Sequence, residues 1–433
     1  MGVANIERQT VLQAWRRIVP LLVAVLLCSY LDRVNIGFAA VEMNRALGFS
    51  NGVFGTAAGF FALGYVLFGI PSTLMLHRVG ARRWISFIVI AWGICSGATA
   101  FITNAEELRV ARFLLGAAEA GFAPGVILYF SCWFPSEYRG RVLGSFAFIQ
   151  PVALIIGGPV SSSLLALGGV LGLAGWQWLL IVEALPTVVL AALVLRHLPD
   201  RPDTATWLPE ANRNWLAERL AEERRRIEGT REVSSAWGVL RSGRVWALAV
   251  VGLAFSTSGT GTVFFMPLII RSMGFSVLHT GLVAAIPGVV CTLSVPLWGL
   301  WADRARSREA VVAVAALVIG VGLAGTAALL PSAWALVPLC AAMMGYYGFV
   351  AAFWTLPSMF LSGARAAAGI SFINIVANLG NFTGPSVLGR VTDLSSSYAM
   401  GLSCLAAVAV GAAVIMGVQA AMRPMGPIAG REA

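Results

Sequence analysis

Four charged residues lie inside stretches of sequence that are otherwise strongly apolar. Asp32 and Arg33 are adjacent in one stretch, and Arg112 and Glu119 lie seven residues apart in another. Arginine stays charged and offers a planar fork to a carboxylate, whereas an aspartate or glutamate removed from water can be neutralised by a proton. Together these residue types could couple the binding of an organic anion to the binding of a proton.

The spacing of these charges suggests how they divide the work. On a helix, Arg112 and Glu119 share one face about 10 Å apart along the axis, so they can reach a common cavity but not pair without strain. Asp32 and Arg33 point about 100° apart around their helix. We expect Arg33 to bind the substrate carboxylate, Asp32 and Glu119 to carry protons, and Arg112 to hold one or both acids charged. The alternative is a purely structural network of mutually neutralising charges.

The stretches that contain these charges are predicted to be membrane-spanning helices. The chain has 433 residues, of which 58% are hydrophobic and 12% charged, and a bilayer core of about 30 Å requires about 20 apolar residues per helix. The first apolar run is too long for the core of a signal peptide and is read as a spanning helix. Twelve spans are predicted, at residues 18–40, 52–76, 84–102, 108–132, 141–165, 176–196, 245–270, 279–302, 309–330, 335–361, 366–391 and 398–421.

Arginines predict the orientation of these helices. If the N-terminus is cytoplasmic, most arginines of the short loops also fall on the cytoplasmic side, and the outer segments carry Arg45, Arg109, Arg271 and Arg390. Because positive residues favour the cytoplasmic side, both termini are expected there, in a bacterial inner membrane.

The two halves of the chain look related. Arg139 and Arg365 lie 226 residues apart, and so do Gly158 and Gly384. Repeated agreement at one offset indicates duplication of a six-helix unit, and such repeats form a binding pocket at their interface near the middle of the membrane.

This duplication divides the chain into three parts. Residues 1–196 and 244–433 are predicted to form the N-terminal and C-terminal six-helix bundles, and residues 197–243 a cytoplasmic linker. Glutamate and arginine at helical spacing in the linker indicate a surface helix. This helix is either a docking or regulatory element or a solvated tether.

Several polar and aromatic residues are candidates to complete the pocket. They are Tyr65, Gln150, Asn374 and Asn378, with Trp354 as an aromatic wall. Packing between helices is the alternative explanation for such isolated residues.

Other classes of protein find no support in the sequence. The six cysteines lack metal-ligand spacing, no Walker motif is present, and no nucleophile–base pair stands out. The net charge of +10 comes from scattered arginines, which argues against a nucleic-acid surface. We therefore expect no enzyme, no catalytic residue, no metal and no cofactor. Glu183 has no partner identifiable from sequence and is assigned a structural role.

Two equivalent loops carry a recognisable signature. The segment Gly299–Arg304 reads Gly-Leu-Trp-Ala-Asp-Arg, and the first-half loop at Leu76–Arg83 is similar but has His77 in place of the aspartate. This signature resembles that of the major facilitator superfamily, in which aspartate is usual at the position of His77. The first loop therefore lacks the acid on which a charge relay there would depend.

Narrower features resemble the anion:cation symporter family of that superfamily. These features are Tyr30-Leu31-Asp32-Arg33-Val34-Asn35, the Arg112-to-Glu119 segment, Pro199-Asp200-Arg201-Pro202, Phe353-Trp354-Thr355-Leu356-Pro357 and Ser371-Phe372-Ile373-Asn374. The family includes permeases for sugar acids, tartrate, phthalate and hydroxyphenylacetate, and the sialin and vesicular glutamate transporters.

The resemblance implies a fold, an activity and residue roles. The fold is all-α, with twelve transmembrane helices in two pseudo-symmetric bundles, and the activity is proton-driven import of a small organic anion by a monomer. Asp32 and Glu119 match the family's proton-coupling acids, Arg33 its carboxylate-binding arginine, and Arg112 the arginine linked to the acids. The resemblance also favours pocket contact for Tyr65, Gln150, Trp354 and Asn374, and less strongly for Asn378.

The tenth predicted span bears on the type of substrate. Ala351, Ala352 and Phe353 precede Trp354 where sugar-acid permeases would be expected to offer more hydroxyl groups. A pocket of a few polar groups among aromatic residues favours an apolar-bodied or aromatic acid over a sugar acid. The alternative is that these residues face lipid or neighbouring helices, which leaves a tartrate-like dicarboxylate open. Proton-driven export of an anion or drug by the same fold is the alternative, and a non-transporting sensor is disfavoured because little chain is left for a signalling domain.

Overall fold

The computed structural model describes residues 3–228, 241–361 and 363–422, and the regular structure in these ranges is helical. The remaining residues, including 229–240 of the predicted linker, lie outside the described chain. The helices are α1 (Val3–Leu47), α2 (Asn51–Val79), α3 (Ala81–Ala98), α4 (Ala105–Glu119), α5 (Phe122–Ser131), α6 (Ser136–Ala147), α7 (Ile149–Leu165), α8 (Gly175–His197), α9 (Glu210–Glu228), α10 (Gly243–Ser272), α11 (Val277–Arg304), α12 (Arg308–Leu329), α13 (Leu336–Phe353), α14 (Gly363–Ser395) and α15 (Tyr398–Ala421). Short 3-10 turns lie at Thr99–Phe101, Val170–Gly172, Pro202–Thr204, Ala333–Ala335 and Pro357–Met359.

The described helices account for the predicted membrane spans. Eleven segments are long and apolar enough to cross a membrane, with α4–α5 and α6–α7 each forming one of them. The remaining predicted span, residues 366–391, falls on α14, which carries the polar residues Asn374, Asn378 and Asn381. The all-helical membrane fold is confirmed.

Three of the predicted spans are confirmed as membrane-crossing segments, but each is interrupted by a break in the helix, which was not predicted from the sequence. A proline follows the end of each first helical piece by four or five residues. It is Pro124 after α4, Pro151 after α6 and Pro357 after α13. Proline lacks an N–H donor and its ring clashes with the carbonyl four residues earlier, which favours a break at each place. The interruptions lie beside Glu119, Gln150 and Trp354, three of the predicted site residues.

The two halves meet where α2 packs against α14 and α7 packs against α11. Glycines allow this close approach. A Cβ on Gly55 would collide with the backbone of Pro385, and one on Gly158 would collide with the backbone of Gly281. Any larger side chain at Gly158 would therefore push α7 and α11 apart.

The linker helix α9 distinguishes the two ends of the molecule. It packs against the beginning of α1, and we call this end the linker side and the opposite end the far side. The end of α15 also lies on the linker side, where Gln419 lines a groove with Gly243 and Arg244 at the start of α10.

On the far side, hydrogen bonds join the two halves. The carboxylate of Asp393, near the end of α14, accepts the backbone N–H groups of Asn51 at 2.9 Å and Gly52 at 2.7 Å. The hydroxyl of Tyr398 donates to Oδ1 of Asn51 at 3.1 Å. Asp393 thus caps the N-terminus of α2, where a negative charge is favourable, and the cap joins the two halves on the far side.

The described linker residues 197–228 are docked on the first half of the chain rather than forming a solvated tether. Arg139 donates to both carboxylate oxygens of Glu223 on α9, at 2.7 and 3.1 Å. Nearby, Trp207 stacks on Trp133 with ring centroids 5.6 Å apart. These contacts attach α9 to the first half of the chain.

Candidate transport site

A cavity of about 270 Å³ lies between the two halves. Four predicted site residues, Arg33, Gln150, Trp354 and Asn378, line it. Among the described residues that line the cavity, Arg33 is the one that carries a charge. A small anion in this space would therefore meet one fixed positive group.

The side chain of Arg33 is held by an acid and by aromatic rings. Its Nε and Nη2 atoms donate to Oε1 of Glu119 at 3.0 and 2.5 Å. Its guanidinium also lies 5.3, 5.1 and 5.4 Å from the ring centroids of Tyr30, Phe61 and Tyr65, within the range of cation–π attraction. The Arg33 side chain nevertheless remains 30% exposed, so part of the fork is open to the cavity.

Tyr65 takes part in this arrangement without lining the cavity. Its ring stacks on Phe61 with centroids 6.0 Å apart, and both rings face Arg33. Tyr30 and Phe61 do line the cavity, although neither was among the predicted site residues. Tyr30 lies three residues before Arg33 on α1, and this helical spacing is a signal that could have identified it.

Glu119 is buried, with 2% of its side chain exposed. Its Oε1 accepts hydrogen bonds from Arg33 and from the hydroxyl of Ser29, whereas its Oε2 has no partner among the described residues. Because α4 ends at Glu119, the carboxylate lies at an interruption of its transmembrane span.

Asp32 faces away from the cavity and towards α3. Its carboxylate accepts hydrogen bonds from Ser96 Oγ at 2.7 Å, Trp92 Nε1 at 3.0 Å and Asn35 Nδ2 at 3.3 Å. The residue is 1% exposed. The predicted divergence of neighbouring side chains is thus observed, with Arg33 on the cavity side and Asp32 on the other.

Arg112 is buried and makes no ion pair of 4 Å or less within the described chain. Its Nε and Nη2 atoms have no hydrogen-bond partner there, and its guanidinium lies 5.2 and 5.8 Å from the rings of Phe61 and Phe264. Its charge acts on Glu119 and Asp32 through space. In this conformation the acid predicted to be held by Arg112 is held directly by Arg33.

The second half contributes a row of amides. Asn378 Nδ2 donates to Oδ1 of Asn374 at 2.5 Å, and Asn381 Nδ2 donates to Oδ1 of Asn378 at 3.0 Å. The hydroxyl of Thr260 donates to Oδ1 of Asn381 at 2.7 Å. Asn374 does not line the cavity but orients Asn378, which does. Asn381 and Thr260 were not among the predicted site residues. Asn381 could have been predicted, because it shares one helix face with Asn374 and Asn378.

Aromatic side chains form the opposite wall. Phe255 stacks between Tyr346 and Phe349, with centroid distances of 4.5 and 4.1 Å. Trp354 is 37% exposed and contacts Phe353 edge-on at 5.3 Å. The cavity therefore combines one cation and a few amides with a large apolar surface, as is usual for pockets that bind small organic molecules.

Two six-helix halves that meet around a central cavity with one cationic group and an aromatic wall define a membrane transporter rather than an enzyme. The sequence model of the Major Facilitator Superfamily matches residues 22–385, and the chain belongs to this superfamily.

Known relatives agree with this assignment. The chain is 40% identical to a protein of Agrobacterium vitis named "Putative tartrate transporter", with 95% of each chain covered. It is 34% identical to a "Quinolone resistance transporter" of Acinetobacter baumannii, with 93% of each covered. The solved structure of a D-xylose-proton symporter has the same fold, with a TM-score of 0.74 at 16% identity over 92% of this chain and 96% of that one.

Proposed function

We propose that the chain is a proton-coupled symporter of the anion:cation symporter family. It imports a small carboxylate by alternating access and works as a monomer in a bacterial inner membrane, with both termini in the cytoplasm. The two bundles, 1–196 and 244–433, rock against each other, and the linker stays on the cytoplasmic side. The observation that carries this proposal is the ion pair between Arg33 and Glu119 at the edge of the cavity, 2.5 Å from Nη2 to Oε1.

The ion pair provides a physical basis for coupling. A substrate carboxylate needs the donors of Arg33 that Glu119 occupies, and Glu119 without its partner would be a buried, uncompensated charge. A proton on Glu119 removes that charge and releases the fork of Arg33. Anion and proton therefore bind together, and a proton gradient drives the anion uphill.

The remaining acid and arginine complete the scheme. Asp32, with three hydrogen-bond donors, is a second proton carrier. Arg112 is a buried positive charge without a direct partner in the described chain, and it lowers the cost of a second negative charge when the proton leaves Glu119.

The lining of the cavity favours a particular substrate class. One arginine fork suits one carboxylate, and the amides of Asn378 and Gln150 can bind a hydroxyl or a second carboxyl group. The wall of Trp354, Phe255 and Tyr346 suits an apolar body. These features favour an aromatic acid or a tartrate-like dicarboxylate over a polyhydroxylated sugar acid, and the tartrate-transporter relative supports the dicarboxylate.

Transport into proteoliposomes tests the proposal. Purified protein is reconstituted, and uptake of radiolabelled tartrate and of hydroxyphenylacetate is measured with and without an inside-alkaline gradient. We expect the gradient to drive accumulation of at least one of them and Glu119→Gln to abolish that effect. Glu106→Gln is the matched control, because Glu106 lies on the same helix but is 76% exposed. If the gradient has no effect on wild-type uptake, the proposed coupling is wrong.

Export is the second candidate function, because a relative at 34% identity is named for quinolone resistance. An exporter of the same fold would exchange protons for its substrate. In the same proteoliposomes an inside-alkaline gradient would then fail to concentrate the substrate, and an inside-acidic gradient would do so.

A further inference from the structure

Glu183 is a second buried acid that the scheme above does not use. It lies on α8 and is 8% exposed. Its Oε1 accepts a hydrogen bond from Ser161 Oγ of α7 at 2.9 Å, and its Oε2 is buried without a partner in the described chain. A carboxylate is an acceptor with two charged oxygens, so this site serves an ionised glutamate poorly.

Glu183 and Asp32 share a neighbour. The amide of Asn35 donates to Oδ1 of Asp32 at 3.3 Å and also interacts with the carboxyl group of Glu183. Oδ1 of Asn35 is a buried acceptor without a described partner. A protonated Glu183 would supply an O–H donor of the kind that the unsatisfied acceptor Oδ1 of Asn35 requires.

The surroundings supply little positive charge for two carboxylates. The titratable neighbours of Glu183 are Asp32 and Cys28, both on α1, and no ion pair of 4 Å or less to either acid exists within the described chain. Arg112 and Glu119 act on Asp32 from α4. Two acids that share one buried site resist joint ionisation, so one proton is expected to stay with the pair.

The positions of Asp32 on α1 and Glu183 on α8 show where the pair lies between the centre of the molecule and its far side. Asp32, Asn35 and Glu42 follow one another at helical spacing along α1 towards the far side. Glu42 of α1 lies beside the far-side end of α8, where it interacts with the backbone of Trp176. Glu183 therefore lies between an acid near the far surface and Asp32 near the centre, apart from the residues that line the cavity.

We propose that Glu183 is a proton-binding residue of the transport cycle, which shares one proton with Asp32 beside Asn35. With the proton on Glu183, Asp32 is the anion and accepts hydrogen bonds from Ser96, Trp92 and Asn35. When the proton moves to Asp32, Glu183 becomes the anion and keeps its donor Ser161. This transfer leaves the net charge of the pair at minus one. In each cycle a proton that arrives at Glu183 from the far side replaces the proton that Asp32 releases, so the pair passes on one proton by a route separate from the substrate cavity. The role of Glu183 in the transport cycle rests on the proposed proton-coupled function, whereas the sharing of a proton between Glu183 and Asp32 does not.

Infrared difference spectroscopy of the purified protein tests the chemistry without any substrate. We expect a carbonyl band of a protonated, buried carboxyl group at neutral pH that is lost in Glu183→Gln. The band is expected to remain in Glu119→Gln and to shift in Ser161→Ala, which keeps the acid and removes its donor. Asp32→Asn removes the negative charge that favours a protonated Glu183. As pH is raised, the band should therefore disappear at a lower pH in this variant than in the wild type. A band that is unchanged in both Glu183→Gln and Asp32→Asn overturns the proposal, and the second variant keeps the test valid if the first does not fold.

Transport separates this inference from the proposed function. In proteoliposomes loaded with tartrate, Glu183→Gln is expected to retain tartrate exchange between the two sides while losing gradient-driven accumulation. Full accumulation by this variant would exclude Glu183 from the cycle. If wild-type protein shows the carboxyl band but no proton-driven transport, the shared proton stands and the proposed function fails.

Discussion

Arg33 of α1 binds Glu119 of α4 through two donors that converge on one carboxylate oxygen, Nε at 3.0 Å and Nη2 at 2.5 Å. The second oxygen of Glu119 is left without a partner in the described chain. The ion pair is therefore short but leaves one carboxylate oxygen without a hydrogen bond. The aromatic side chains of Tyr30, Phe61 and Tyr65 surround the Arg33 guanidinium and keep it at the edge of the cavity when Glu119 releases it.

Glu119→Gln should change how substrate affinity depends on pH. Under the proposed coupling an anion and a proton bind together in the wild type, so affinity should be highest at low pH and fall as pH rises. The glutamine has no charge to compete for Arg33, so affinity should become nearly independent of pH and exceed that of the wild type at alkaline pH. Calorimetric titration with tartrate across pH measures this. An identical pH profile for Glu106→Gln and wild type is the control, and an unaltered profile for Glu119→Gln would contradict the competition.

Arg33→Lys should weaken substrate binding although it preserves the charge. Lysine is a point charge and cannot present two parallel donors to a carboxylate. Loss of one hydrogen bond to a charged group costs about 1.5–3 kcal/mol, or roughly 10- to 100-fold in Kd. Arg109→Lys, on the same span as Glu119 but paired with the exposed Glu106, should bind like the wild type. Equal affinity in Arg33→Lys and wild type would show that Arg33 does not hold the carboxylate by its fork.

Much of the site could be predicted because an ionisable residue in an apolar helix is rare and costly. Asp32, Arg33, Arg112 and Glu119 were selected on that ground alone. Their pairing could not be predicted, because Arg33 of α1 meets Glu119 of α4 only through the way the helices of the first half pack around them. That packing involves contacts between residues far apart in sequence, which no local pattern encodes.

The helix interruptions were missed for a related reason. Pro124, Pro151 and Pro357 lie near breaks, yet Pro159 and Pro385 lie inside uninterrupted helices. Proline removes a donor in every case, and whether the helix breaks depends on what the freed carbonyl meets in the fold. Sequence alone therefore located the spans but not the interruptions beside Glu119, Gln150 and Trp354.

Glu223→Gln should loosen the linker helix α9 from the first half. The variant loses the charge in a bidentate pair with Arg139 whose side chains are 25% and 19% exposed, at a cost of about 1–2 kcal/mol. A cost of that size raises the population of the undocked helix roughly 5- to 30-fold. Limited trypsin digestion within α9, which is rich in arginine, should accelerate accordingly. Glu218→Gln, an exposed position on the same helix, should digest at the wild-type rate, and equal rates for both variants would show that the pair does not hold α9.

Asp393→Asn should shift the protein towards a state that is open on the far side. The carboxylate of Asp393 accepts two backbone N–H groups at the N-terminus of α2, and the asparagine offers one neutral acceptor in its place. Loss of the charge at a helix N-terminus costs about 1 kcal/mol and loss of the second hydrogen bond a similar amount. Together they should populate the far-side-open state roughly tenfold or more.

Sided alkylation can measure this shift. Ala62 lines the cavity, so a cysteine placed there, after replacement of the six native cysteines, reports access from either side. A membrane-impermeant maleimide added from the far side should react faster in Asp393→Asn, and the same reagent added from the linker side should react more slowly. Asp203→Asn, an exposed carboxylate on the linker, should leave both rates unchanged. If alkylation became faster from both sides in Asp393→Asn, the substitution would have increased access generally rather than shifted the protein between two conformations. The contact between Asp393 and α2 would then not control access from the far side.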